Sequence, residues 1–242
     1  MRYVFLLIPL IALLTLACED GEKAVPSRTG AATGLPSPAA GEVDIRDLLL
    51  RAGDVPPGLA EPGQLIEPLV QTAQEFTEGF LTGEDRLEAE PTVTEEQVTA
   101  WGVVASATQA YSGPEPYPAR GARLMVTTVV LHDRVNGAAA FLPLALTALD
   151  REVIEEYLAQ PGLDVLQYRE LAEPMIGKGS KMVYYVSVSP DDQVRLEYYD
   201  LVFRRDRVVA HVQVSAPEGN VTLEQVIDLA SALDGRIEDG LQ

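Results

Sequence analysis

Cysteine occurs once in this chain, at Cys18, and histidine twice, at His132 and His211. A single thiol excludes a disulfide within the monomer and any metal centre built on several thiolates. Two histidines without further thiols also fall short of the usual structural zinc set. Basic residues are scarce: 18 Lys and Arg stand against 37 Asp and Glu, a formal net charge of -19. So acidic a balance repels polyanions, which argues against nucleic acid and anionic lipid as partners and suits a soluble protein held beside a negative surface. Catalytic motifs are missing too. There is no Gly-x-Ser-x-Gly elbow, and Gly177-Lys178-Gly179-Ser180 lacks the spacing of a phosphate loop and reads as a turn. Glu95-Glu96 and Asp191-Asp192 lack the alternating ligand spacing of a calcium loop and read as solvated turns. No metal and no cofactor is expected.

What the chain has begins at residue 1. Met1-Arg2 is followed by an apolar run from Tyr3 to Ala17, then Cys18, then Glu19-Asp20. A short basic start, an apolar centre and small residues at the end make a secretory signal. The run is shorter than the roughly 20 residues that span a bilayer, and acids rather than Lys or Arg follow it. Leu14-Thr15-Leu16-Ala17-Cys18 resembles the lipobox of bacterial exported lipoproteins, with Thr15 where Leu is preferred. The resemblance implies cleavage before Cys18 and a membrane lipid anchor on its thiol, at the extracytoplasmic face of the cell membrane. Cleavage removes Arg2 and takes the formal charge from -19 to about -20.

Three segments follow from this: a signal peptide over 1–17, the lipidated Cys18 with a tether over 18–42, and one domain over 43–242. The tether is dominated by Pro, Gly, Ser, Thr and Ala, as in Gly34-Leu35-Pro36-Ser37-Pro38. It has almost nothing to bury, so ordering it is not offset. A coil of that length reaches about 25–30 Å.

Within the domain, apolar spacing predicts a short helix over 43–50 and another over 65–80. Val98 to Tyr111 reads as a strand with Trp101-Gly102 near its start. Leu124 to Leu131 is apolar on both faces and so reads as a central strand. Asp133 is placed to cap a helix from about Arg134, with Pro143 kinking it or marking a restart, and a further helix spans roughly 150–159. Strands are expected at 164–171, 181–188, 194–203 and 207–215, the last with a wetter face through His211 and Gln213. Thr222 and Gln225 form a capping box for a terminal amphipathic helix. Consecutive strands joined by tight turns indicate an α+β fold: a mostly antiparallel sheet of about five or six strands with helices packed on one face.

Asp54-Val55-Pro56-Pro57-Gly58, Trp101-Gly102-Val103-Val104, Val129-Val130-Leu131 ahead of Gly137-Ala138-Ala139-Ala140-Phe141, Met175-Ile176-Gly177, and Leu201 to Ala210 form a familiar layout with the closing helix. It resembles small exported lipoproteins and extracellular sensor-like domains with a Mog1/PsbP-like fold. That resemblance implies sensing or binding at the cell surface and transfers no site residues.

The side chains that could carry chemistry are few. His132 beside Asp133 could orient an imidazole for base catalysis, but such a pair at a strand end serves structure more often. His211 reads as a satisfied surface residue on the wetter face. Tyr184, Tyr185, Tyr198 and Tyr199 fall on two adjacent strands and are the candidate binding surface, since their rings offer apolar area with a polar edge. The sequence therefore reads as a membrane-anchored, non-catalytic binding or sensor module for an unidentified protein or small molecule. The alternatives are a carrier holding an apolar ligand between sheet and helices, and a hydrolase centred on His132.

Overall fold

The computed structural model describes residues 43–59, 66–82, 91–112, 121–159, 162–172, 176–188 and 194–242. Cys18, the expected leader and tether, and the turn expected at Asp191-Asp192 lie outside the described residues. Among the described residues seven strands form one antiparallel sheet: β1 Leu69–Thr72, β2 Val103–Ser112, β3 Leu124–His132, β4 Asp164–Leu171, β5 Lys178–Val188, β6 Arg195–Arg205 and β7 Val208–Pro217. Their spatial order is β1-β2-β3-β7-β6-β5-β4. The α+β class and antiparallel sheet stand as expected; the strand count is seven, not five or six.

The extra strand comes from the segment read as one helix over 65–80. Leu69–Thr72 pairs with β2, and α1 (Ala73–Thr82) begins only after Thr72. The reason is a capping exchange: Glu75 N donates to Thr72 Oγ1, and Thr72 N donates to Glu75 Oε2 at 2.8 Å. The same device divides the run read as a strand from Val98. Thr94 and Gln97 cap α2 (Glu95–Trp101), and Gly102 ends it in the left-handed region at φ 56 before β2 starts. The first expected helix is a short 3-10 turn, Ile45–Leu48.

Both faces of the sheet are covered, which corrects the expectation of helices on one face. α5 (Leu223–Gly240) packs Val226, Leu229, Leu233 and Ile237 with Leu48, Leu49 and Leu50 against Val129, Leu201 and Ala210. On the opposite face α3 (Val135–Thr147), α4 (Arg151–Ala159) and the turn between them bring Phe141, Leu149, Ile154 and Leu158 onto Val130, Val183, Val202 and Val209. Successive strand residues point to opposite faces, so a strand apolar at every position has to be covered twice. β3 is buried at all nine positions, and β7 at all but Pro217. The central placement expected for 124–131 holds, and the terminal helix carries the Thr222–Gln225 capping box. Two local expectations change. α3 runs on through Pro143, and its N-cap is Arg134 without a side-chain bond rather than Asp133.

The sheet has two distinct ends. The β6–β7 hairpin turns at Asp206, whose φ is 51. Around it lie the close of β3, the start of β2 and the start of β5. The C-terminus of α5 reaches the same end, where Val43, Asp44, Arg207 and Gly240 to Gln242 border an open groove of about 560 Å³. Val43, the first described residue, therefore lies beside the hairpin.

Candidate functional site

The four candidate tyrosines sit opposite one another on β5 and β6, Tyr184 with Tyr199 and Tyr185 with Tyr198. They do not make one surface. Neighbours in a strand face opposite ways, so the pairs lie on the two sides of the sheet. Tyr185 and Tyr198 stack with centroids 4.6 Å apart and planes 6° from parallel, under α3 and α4. Tyr184 and Tyr199 meet at 5.0 Å on the α5 side, where the Arg169 guanidinium lies 5.1 Å from the Tyr184 ring centroid. Burial raises the hydroxyl pKa of all four, that of Tyr199 to about 12 with Glu197 adding to the effect, so each remains a neutral donor.

The buried pair leads to a polar hub that sequence reasoning missed. Asp200, on β6, is 2 % exposed, and its carboxylate gathers three side chains from the two neighbouring strands, β5 and β7. Tyr185 O–H donates to Oδ2 at 2.7 Å, Gln213 Nε2 donates to Oδ2 at 3.2 Å, and His211 Nε2 donates to Oδ1 at 2.8 Å. Ser187 Oγ reaches the Tyr198 hydroxyl at 3.4 Å at its margin. One signal was present in the sequence: Asp200 interrupts the apolar run Tyr198-Tyr199-Asp200-Leu201-Val202-Phe203. An acid centred in a two-sided apolar strand needs internal partners, and β7 supplies them on the same face.

His211 is thus 1 % exposed, not a surface residue, and the face of β7 read as wetter is a buried polar layer. His132 is fully buried as well. Its Nδ1–H donates to the Trp101 carbonyl at 2.8 Å, and its ring packs 5.3 Å from the Phe141 ring. Burial lowers its pKa, against an opposing pull from the Trp101 carbonyl and Asp133. Asp133 does not orient the imidazole through a hydrogen bond: its carboxylate lies against Gly102 and 3.7 Å from Arg134. The structure therefore leaves this pair apart as a catalytic dyad.

The space enclosed between the sheet and α5 is small. Between sheet and α5, at Leu50, Val55, Tyr111, Met125 and Leu229, the cavity is about 10 Å³, room for roughly one water. Sites for drug-sized ligands run to several hundred Å³. Among the described residues no three His, Cys, Asp or Glu gather as a metal site, and no helix is long and apolar enough to cross a membrane.

No known family model matches the chain, and no curated protein does. Among solved structures it is similar to the extracellular domain of PknH from Mycobacterium tuberculosis, at 12 % identity and a TM-score of 0.49, over 82 % of this chain and 99 % of that one. It is also similar to a putative uncharacterized protein from Mycobacterium smegmatis, an Rv0999 ortholog, at 12 % identity and a TM-score of 0.42, with the same coverages. At such identity and overlap neither likeness assigns the chain to a family.

Proposed function

We propose that the protein is a lipid-anchored extracytoplasmic binding or sensor module without catalysis of its own. The observation that carries this reading is the order along the chain: a lipobox-like Leu14 to Cys18, a segment with little to bury, then a domain whose first turn starts at Ile45. The non-catalytic part is supported by access. A general base has to come within hydrogen-bond reach of its substrate, and His132 and His211 are 0 % and 1 % exposed. With the cavity under α5 holding about one water, binding on this reading uses the outer surface.

The test is the mass of the chain extracted from its own membranes. We expect a start at Cys18 carrying a diacylglyceryl thioether, and a Cys18→Ser chain that keeps its leader and gains no lipid. An unmodified N-terminus at any other residue refutes the anchor. Native mass spectrometry of the same extract, with a bound species of defined mass expected, tests the binding role; a turnover product released from candidate substrates refutes its non-catalytic part.

A further inference from the structure

We propose that the outer edge of β4 is a self-association surface, on which a second copy of this chain adds its own β4 antiparallel about a two-fold axis at Gln167. The pairing is argued from the edge alone; the anchored reading above adds only the proximity of copies.

β4 ends the sheet opposite β1, and among the described residues no strand pairs with its outer side. Such an edge presents a row of unpaired N–H and C=O groups that an added strand completes. β1 is only four residues long, whereas β4 runs for eight, from Asp164 to Leu171. Val165 pairs with Ser187 and Gln167 with Val186, so Leu166 is the extra residue of a bulge, and it is 53 % exposed. The bulge sets which side chains share a face. Val165 and Tyr168 pack with the core under α3 and α4. Asp164, Gln167 and Arg169 take the other face, where Arg169 lies over the Tyr184 ring.

The edge is self-complementary about Gln167. With Leu166 bulged out, the pairing positions run Asp164, Val165, Gln167, Tyr168, Arg169. A second β4 centred on the same residue sets Asp164 against Arg169 of the other copy, Val165 against its Tyr168, and Gln167 against its Gln167, each pair on one face. Two ion pairs, two apolar pairs and one amide pair result. Neither Asp164 nor Arg169 has an opposite charge within ion-pair distance among the described residues of its own chain. Along β4 the two stand four pairing steps apart, about 13 Å, too far to meet each other. Charges and a bulge on an edge discourage pairing with an arbitrary strand. Here the charges are matched in one register, which makes the edge selective for its own copy. The net charge of -19 opposes association of freely diffusing chains, so the contact is weak in dilute solution and favoured where copies share a membrane.

Gln167→Cys in the full chain, cross-linked with a short bismaleimide in the membranes of its own host, tests the axis. Directly opposite residues have Cβ atoms about 4.5–5.5 Å apart, whereas in this register the two copies of Glu170 stand about 20 Å apart. We expect a band of twice the chain mass for Gln167→Cys, and none for Glu170→Cys or the parent chain. Arg169→Asp added to Gln167→Cys removes two attractions and creates two repulsions, which lowers association about thirtyfold; adding Asp164→Arg as well restores it. Equal cross-linking through Gln167→Cys and Glu170→Cys, no dimer with either, a dimer that persists with Arg169→Asp, or no recovery in the charge swap overturns the proposal. An adduct of any other mass gives the edge to a different partner and overturns it too. Far-UV circular dichroism checks that each variant folds. Where one does not, sedimentation of the purified parent chain decides: a mass that rises to twice the chain with concentration supports the pairing, and a constant monomer refutes it. A parent chain that cross-links carries a free Cys18 thiol, which counts against the anchor alone; the Cys18→Ser background then reads the edge, so the two failures are distinct.

Discussion

Asp200→Asn isolates what the buried hub contributes, because it keeps volume and removes acceptor capacity. The carboxylate accepts from Tyr185, His211 and Gln213 at 2.7, 2.8 and 3.2 Å. An asparagine keeps one carbonyl oxygen and places an N–H2 group among donors. At least one of the three donors then loses its acceptor, with Tyr185, His211 and Gln213 only 1–3 % exposed. A buried donor left unmade costs about 1–3 kcal/mol, and the amide N–H facing donors adds a second of similar size. The expected loss is therefore about 2–6 kcal/mol, a large part of the 5–15 kcal/mol typical of a domain. Urea unfolding followed by Trp101 fluorescence measures it, with the slope unchanged so that the midpoint shift reports stability. Tyr185→Phe in the same background completes the argument. Alone it strands one carboxylate lone pair; with Asp200→Asn already present it should cost less, giving a coupling of about 1 kcal/mol or more. A loss below about 1 kcal/mol for Asp200→Asn, or strict additivity of the two changes, would show that the hub is not a coupled network.

Two further outcomes follow from the joint between α2 and α3. His132 titrates below its ordinary 6.5 because it is buried, so above that pH the ring is neutral folded or unfolded; as pH falls the unfolded chain takes the proton first, and stability drops by about 1.4 kcal/mol per pH unit. Unfolding measured at about pH 7 and about pH 5 should show a smaller loss in His132→Gln than in the parent chain, and equal losses would refute the assignment. Gly137→Ala should lower the melting temperature, although the same change in an open helix stabilises by about 1 kcal/mol, because the added Cβ would collide with the Trp101 carbonyl oxygen. A raised melting temperature would mean that α3 can slide away from α2.

Regular elements with strong periodicity were legible from residues alone. The Val208 to Pro217 strand, the tight turn at Asp206 and the Thr222 cap appear where alternation, turn chemistry and capping placed them. The two departures in local structure share one cause: a cap fixes where a helix starts more firmly than apolar spacing does. Leu69 and Val70 fit a helical stripe, but Thr72 with Glu75 fixes the helix start after them. Val98 fits a strand, but Thr94 with Gln97 puts it inside α2. The one-face expectation failed because His211, Gln213 and Ser215 were read as facing water. Polar residues opposite an apolar row mean solvent only when nothing else can satisfy them, and Asp200 on the next strand satisfies two of the three. The tyrosines show the same limit. Tyr184-Tyr185 and Tyr198-Tyr199 are consecutive, so period two alone divides them between faces.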